Sequence, residues 1–115
     1  MTHVRSRVSR ALKLAHETGD PAWLRFAVVG DGQAGIELAG EVAELVGPRR
    51  ARISLLLSDV PEPERRNAVR DLVERGVDVW LRARVVGADD EGVELDGALR
   101  MPARTVMWTT QPVTI

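Results

Sequence analysis

The chain has 115 residues, of which 44% are hydrophobic and 29% are charged, a composition typical of one globular domain and unlike that of disordered or fibrous chains. Sixteen basic and seventeen acidic side chains give a formal net charge of -1, so no overall positive field favours a nucleic acid or an anionic membrane as partner. The absence of cysteine excludes disulfides, a thiolate nucleophile and Cys-ligated zinc.

The apolar runs, such as residues 26–30 and 55–57, are far shorter than the roughly 20 residues that span a bilayer. The N-terminus also lacks the apolar core of a signal peptide. We therefore expect a cytoplasmic chain with no membrane insertion and no nucleic-acid partner.

Apolar residues within 4–15 recur at helical spacing and predict an amphipathic helix, which the turn residues 18–21 end. The β-prone run Phe26–Val29 then predicts a strand that is buried on both faces. It leads through a glycine-rich loop into a helix with an apolar face from Ile36 to Val46. The apolar strand 52–57 closes a βαβ unit, whose right-handed crossover makes the two strands parallel.

Further along, the spacing predicts a helix from Glu62 to Arg75 and a third strand at Val77–Leu81. Three short β-like runs separated by turn signals predict an antiparallel meander: residues 84–88, 92–95 and 98–101. The strand Thr105–Trp108 is expected to return to the sheet beside the first strand. The expected fold class is thus α/β, a small Rossmann-like three-layer domain with a parallel central sheet and a three-stranded antiparallel β-meander.

The loop between the first strand and its helix has the pattern G-x-G-x-x-G, formed by Gly30, Gly32 and Gly35. In dinucleotide-binding folds the first glycine makes the tight turn, the second lets a pyrophosphate approach the backbone, and the third lets the helix pack closely on the strand. The phosphates then meet the positive end of the helix dipole. The strand–loop–helix context therefore predicts a dinucleotide site, although the same glycines also suit a plain tight turn.

The segment Phe26–Glu41, FAVVGDGQAGIELAGE, resembles the pyridine-nucleotide-binding segment of the type II NADH dehydrogenase group, within the flavin-dependent pyridine nucleotide-disulfide oxidoreductases. Its GIELAGE stretch is more diagnostic than the glycines. Three later segments resemble signatures of the same family in the same order: residues 75–79, 92–97 and 101–108. The likeness covers about residues 9–108 and implies the nucleotide-binding subdomain of that family, without its FAD-binding halves.

The resemblance implies that NAD(H) or NADP(H) binds at the carboxyl edge of the sheet. It places the pyrophosphate on six loop residues: Gly30, Asp31, Gly32, Gln33, Ala34 and Gly35. It also places Glu37 towards the nicotinamide ribose, although a Glu in the first turn of a helix is often only a partner of the helix dipole. Family members more often have Gly at Asp31, where a carboxylate would repel phosphate unless it points to solvent.

A second departure concerns the acid that accepts hydrogen bonds from the adenosine ribose in this fold. The resemblance places that acid at Leu57, which cannot accept them. Asp59 has the right chemistry if the strand end is shifted, whereas Ser58 followed by Arg65 and Arg66 suits a 2′-phosphate. The sequence therefore leaves the preference between NAD and NADP open.

The related enzymes hold FAD in halves that flank the nucleotide module, and we expect no FAD site here. In addition, Thr109–Pro112 replaces the small Ala-Ala-Gly-like segment that approaches the flavin in the family. We expect a stand-alone NAD(P)H-binding domain without catalytic residues of its own, acting as an oxidoreductase component with a separate flavoprotein. The alternative is a non-catalytic degenerate module for dimerisation or protein–protein interaction, with Val4, Val8 and Leu12 at the interface.

The predicted domain organisation has three parts: an N-terminal helix and linker at 1–22, the NAD(P)-binding domain at 23–110 and a tail at 111–115. Met1 and the altered tail favour a naturally short chain, and a fragment of a longer protein is the alternative. His3 and His16 have no metal-ligand spacing, and the acidic run 89–91 is typical of a solvated hairpin tip. Among the tryptophans, only Trp108 is expected near the ligand edge.

Overall fold

A computed structural model describes residues 3–48 and 50–110, so the predicted tail 111–115 lies outside the described residues. The elements follow one another in the order α1 (His3–Thr18), a 3₁₀ turn (Pro21–Leu24), β1 (Arg25–Gly30), α2 (Gly32–Val46), β2 (Arg52–Leu57), a second 3₁₀ turn (Pro63–Arg65), α3 (Arg66–Glu74), β3 (Asp78–Trp80), β4 (Val85–Asp89), β5 (Gly92–Leu95), β6 (Leu99–Pro102) and β7 (Thr105–Trp108).

Within the described residues the strands form two sheets. The first has the order β3-β2-β1-β7 with every pair parallel, and the second is the antiparallel meander β4-β5-β6. This confirms the predicted α/β class, including the return of the last strand beside β1. The predicted helix from Glu62 to Arg75 instead begins as the 3₁₀ turn at Pro63. The residue before a proline is disfavoured in the helical region, and Glu62 is accordingly extended.

The parallel sheet is buried on both faces. On β1, Phe26 and Val28 face a core shared with the helices, whereas Ala27 and Val29 face a second core shared with the meander. Successive side chains of a strand point to opposite faces, so a strand covered on both sides is apolar throughout. The three layers are therefore helices, parallel sheet and meander, with β1 at the centre.

Helix α1 packs into the helical side of this arrangement. Val8 is 2% exposed and Ala11 1% exposed, and Val4 and Leu12 pack against the same core. The Arg7 guanidinium donates a hydrogen bond to the Val106 carbonyl oxygen at 2.9 Å, which joins α1 to β7. Val8 is therefore covered within the chain and does not offer an interface, whereas Val4 and Leu12 remain half-buried beside it.

The carboxyl ends of the parallel strands meet at one edge of the sheet, which we call the carboxyl edge. Two backbone hydrogen bonds organise it, one from the Ala83 N–H to the Leu57 carbonyl oxygen at 2.8 Å and one from the Thr109 N–H to the Val29 carbonyl oxygen at 2.9 Å. They hold the segments after β3 and β7 against the ends of β2 and β1. The loops at this edge are thereby positioned by the sheet.

We expect Leu55→Ala to lower the free energy of unfolding by about 2–5 kcal/mol, because it opens a cavity in a packed core. Leu55 lies on β2 and is 0% exposed. Urea unfolding followed by circular dichroism measures the change. Val73→Ala on α3 is the matched control, since Val73 is 53% exposed, and a control loss as large as that at Leu55 would contradict the assignment of the core.

Candidate functional site

The glycine-rich loop lies at the carboxyl edge between β1 and α2. Gly32 is the first residue of α2 and has φ 59°, a left-handed conformation that costs other residues steric energy. A Cβ at Gly35 would lie 3.3 Å from the backbone carbon of Gly30, so α2 approaches β1 as closely as the motif predicted. Gly30 ends β1, and a Cβ there would collide with the Thr109 hydroxyl.

The first turn of α2 is directed at this edge. The first N–H groups of any helix have no acceptor within it, and the helix dipole adds partial positive charge there. Asp31 is the N-cap residue, yet its side chain makes no capping hydrogen bond to this turn. Gln33 and Ala34 in the turn are exposed. The arrangement fits a phosphate group bound by backbone donors.

The Asp31 carboxylate is turned across the edge towards the end of β2. It accepts a hydrogen bond from the Ser58 backbone N–H at 2.9 Å, and the Ser58 hydroxyl donates to the same carboxylate, 2.7 Å from each oxygen. The sequence suggested that this carboxylate must point to solvent to avoid repelling a phosphate. Instead, two donors from Ser58 partly compensate its charge.

Two clefts open on either side of the Asp31–Ser58 contact. The smaller has a volume of about 150 Å³ and is lined by both of these residues, by Gly30 and by Trp108 at the end of β7. Trp108 is half-buried and also packs against the meander core. Trp108 thus lies at the carboxyl edge, the edge at which the sequence predicts the ligand.

The larger cleft has a volume of about 600 Å³ and lies between the start of α2 and the ends of β2 and β3. Its lining includes Gly32 and five charged residues: Asp31, Asp59, Glu62, Arg65 and Arg82. The Arg65 guanidinium donates hydrogen bonds to Glu62 at 2.8 Å and, through Nε, to the Gln33 side-chain oxygen at 3.3 Å. These contacts hold a cation beside the glycine-rich loop.

Sequence reasoning missed Arg82 in this cleft. Its φ of 55° is uncommon for a residue with a side chain, and the hydrogen bond from Ala83 to Leu57 fixes its backbone beside the end of β2. The available signal was its position just after the third predicted strand, at the carboxyl edge. By contrast, Arg66, which the sequence paired with Arg65 as a candidate, is not among the residues lining this cleft.

The remaining predicted site residues lie in different surroundings. Leu57 is 1% exposed, so its position at the end of β2 offers no ribose acceptor. Glu37 accepts a hydrogen bond from the Gln33 amide at 2.7 Å and lines a separate groove on the outer face of α2, together with Arg5 and Arg75. The clefts beside the glycine-rich loop therefore do not include Glu37.

The candidate metal residues have ordinary structural roles. Asp89 accepts hydrogen bonds from the backbone N–H groups of Glu91 and Gly92 and from Arg100, and these bonds, chiefly that from Glu91, hold the pKa of its carboxyl below the usual value. His3 and His16 are exposed. Residues 3–48 and 50–110 contain no group of side chains arranged to bind a metal ion.

Among the described residues, no helix has the length and apolar character needed to cross a bilayer.

A search of protein-family models finds no match to the chain. Among curated proteins, the type II NADH:quinone oxidoreductase Ndh of Mycobacterium tuberculosis is 30% identical over 121 aligned positions, which cover 84% of this chain and 26% of that protein. The chain is homologous to part of a type II NADH dehydrogenase. It spans about a quarter of the length of that relative.

Solved structures agree on the fold. NDH2 from Plasmodium falciparum in complex with NADH superposes with a TM-score of 0.73 at 13% identity, over 90% of this chain and 27% of that one. LpdA of M. tuberculosis matches with a TM-score of 0.58 at 23% identity, covering 74% of this chain and 20% of that one. The flavoprotein disulfide reductase RclA of Escherichia coli superposes with a TM-score of 0.57 at 18% identity, covering 76% of this chain and 21% of that one. The fold is thus that of one portion of much longer oxidoreductases.

We expect Asp31→Ala to lower the free energy of unfolding by about 1–2 kcal/mol, because hydrogen bonds to a charged group are lost at a partly screened site. A double-mutant cycle with Ser58→Ala isolates the hydroxyl contribution, expected at about 0.5–1 kcal/mol. Asp59→Ala, a nearby carboxylate with no hydrogen bond or ion pair among the described residues, serves as control and should change stability by less than about 0.5 kcal/mol. A coupling energy of zero between Asp31 and Ser58 would contradict the contact.

Proposed function

We propose that the chain binds a pyridine dinucleotide, NAD(H) or NADP(H), across the carboxyl edge of its parallel sheet. The observation that carries the proposal is the position of the glycine-rich loop. It follows β1, whose neighbours β2 and β7 lie on opposite sides and are reached by separate connections. Open α/β sheets bind ligands at such switch points, outside the carboxyl ends of the strands.

In this proposal the pyrophosphate lies against the first turn of α2, near Gly32 and the exposed residues Gln33 and Ala34. The adenosine half occupies the larger cleft and the nicotinamide half the smaller one, beside Trp108. The division is supported by the location of the two clefts on either side of the loop. It is also supported by homology to an NADH:quinone oxidoreductase and by the fold shared with a structure that contains NADH.

We further propose that the chain is an oxidoreductase component that presents reduced nicotinamide to a flavin held by a separate flavoprotein. Hydride acceptance is the chemistry of the cofactor, and a nucleotide-binding fold supplies only binding and orientation. Among the described residues, one glycine-rich loop follows a strand of the parallel sheet, and in this proposal it binds the pyridine nucleotide. This chain accordingly contributes binding and orientation, in a cytoplasmic setting, and its partner contributes the flavin.

Titration of NADH and NADPH against tryptophan fluorescence tests nucleotide binding, since Trp108 lines the smaller cleft. We expect saturable quenching, and we expect Gly32→Glu to weaken binding at least about tenfold, because it places a carboxylate in the phosphate path. Gly97→Glu is the matched control: Gly97 also has positive φ, 88°, but lies at the β5–β6 turn. It should bind as the unaltered chain does.

Absence of binding at millimolar nucleotide by the folded protein would contradict the proposal and favour the interaction-module alternative. Equal weakening by Gly32→Glu and Gly97→Glu would also contradict it, because the effect would then arise from backbone strain in general and not from the phosphate path.

Absorbance of the purified protein tests the role of a separate flavoprotein. We expect no flavin absorption band in the visible spectrum of the purified protein, because the separate flavoprotein supplies the flavin. We also expect no oxidation of NADH or NADPH by the chain with quinone or dye acceptors until a flavoprotein is added. A stoichiometric flavin band, or turnover by the chain alone, would contradict this part of the proposal.

A further inference from the structure

We infer, on the basis of the proposed nucleotide-binding function, that the larger cleft selects NADP(H) over NAD(H) by holding the adenosine 2′-phosphate between Arg65 and Arg82. The two arginines line one cleft with Gly32. A guanidinium binds phosphate oxygens through a planar fork of N–H donors and remains charged at physiological pH. The ligand chemistry is therefore a ribose phosphate and not a ribose diol.

The end of β2 lacks the group that binds the ribose diol of NAD(H). That function in this fold needs a carboxylate at the end of the second strand, where this chain has Leu57, which is 1% exposed. The next residue, Ser58, donates its hydroxyl and its backbone N–H to Asp31. Leu57 has no polar side-chain atom, and Ser58 is a neutral hydroxyl that lacks the two acceptor oxygens of a carboxylate.

Arg82 is fixed next to the same strand end. The backbone N–H of Ala83 donates to the Leu57 carbonyl oxygen at 2.8 Å, so Arg82 lies directly beside the position that an NAD-selective acid would occupy. Its left-handed backbone, with φ 55°, is maintained by this attachment. Arg82 is exposed and has no ion-pair partner among the described residues, so its charge is available to a ligand.

Arg65 provides the second cation of this cleft. A Cβ placed at Gly32 would lie 3.7 Å from its guanidinium nitrogen Nη1, so Arg65 lies between the pyrophosphate position and the adenosine side of the cleft. Its partner Glu62 precedes the same 3₁₀ turn and has an exposed side chain, and ion pairs of exposed side chains are weak. A phosphate therefore competes effectively for this guanidinium.

Three carboxylates line the cleft beside the two guanidinium groups: Asp31, Asp59 and Glu62. Asp31 accepts hydrogen bonds from Ser58, and Glu62 is released when a phosphate takes its place at Arg65, whereas Asp59 has no partner among the described residues. Asp59 lies two residues beyond β2 and is the acid that an NAD-selective site would use. These carboxylates oppose a 2′-phosphate, whereas Arg65 and Arg82 attract it and offer it direct N–H donors.

The test is a pair of titrations of the full chain with NADPH and NADH at low ionic strength. We expect NADPH to bind at least about tenfold more tightly, with the difference shrinking as salt screens the exposed charges. Arg82→Gln and Arg65→Gln should each lower the NADPH affinity towards that for NADH. Arg66→Gln, which alters the neighbouring arginine outside the cleft, should keep the preference. Asp59→Asn should raise the NADPH affinity and leave the NADH affinity unchanged.

One further variant separates ligand recognition from folding. Arg82→Gly removes the charge and also relieves the left-handed strain, so it should lose the NADPH preference while its Tm stays equal or rises. Loss of preference in a protein that is at least as stable identifies a role in binding.

The outcomes of these titrations distinguish the NADP(H) preference from nucleotide binding itself. NADH binding as tightly as NADPH, or an NADPH preference that survives both Arg65→Gln and Arg82→Gln, would overturn the NADP(H) assignment and leave the proposed nucleotide-binding function intact. Selective loss of NADH binding in Asp59→Asn would overturn it as well, because Asp59 would then be the ribose acid. Absence of binding by either nucleotide would overturn the proposed function and this assignment together.

Discussion

The close approach of α2 to β1 is the constraint on which the other features depend. A Cβ at position 35 would lie 3.3 Å from the Gly30 backbone, tighter than an ordinary contact, so glycine favours the close approach of the helix to the strand at this point. That contact directs the first turn of α2 towards the carboxyl edge and opens the two clefts beside it. A larger side chain at position 35 would force the helix outwards and displace the donors that a phosphate needs.

Burial of the sheet on both faces explains why so much of the architecture could be predicted from the sequence. Strands β1 and β2 read as continuous apolar runs because Val28 and Leu55 face the helices while Val29 and Leu56 face the meander. The glycine spacing marked the loop, and hairpin signals marked the meander. These patterns are local, so they are visible in sequence without knowledge of the fold.

Features that depend on long-range contacts could not be predicted in this way. The Asp31–Ser58 hydrogen bonds join residues 27 positions apart, and the attachment of Arg82 requires Ala83 to reach Leu57. Neither contact has a local signature. The amphipathic pattern of α1 likewise predicted an apolar face, but it did not indicate what covers that face. Around Val8, the face packs against the core of the same chain. The side-chain contact of Glu37 also could not be predicted. The position of Glu37 in the glycine-rich motif did not indicate that it would accept a hydrogen bond from Gln33 on the outer face of α2.

Nucleotide binding at the glycine-rich loop is tested most directly by the effect of a pyridine dinucleotide on the backbone amide resonances of the protein. We expect NADPH added to saturation to shift the amide resonances of Gly32, Gln33 and Ala34 most strongly, since their N–H groups meet the pyrophosphate. Smaller shifts should appear at Arg65 and Arg82. Binding at this loop would be contradicted if these amide resonances stayed unchanged at saturating nucleotide, or if the shifts were confined to the opposite edge of the sheet around Arg25 and Arg52.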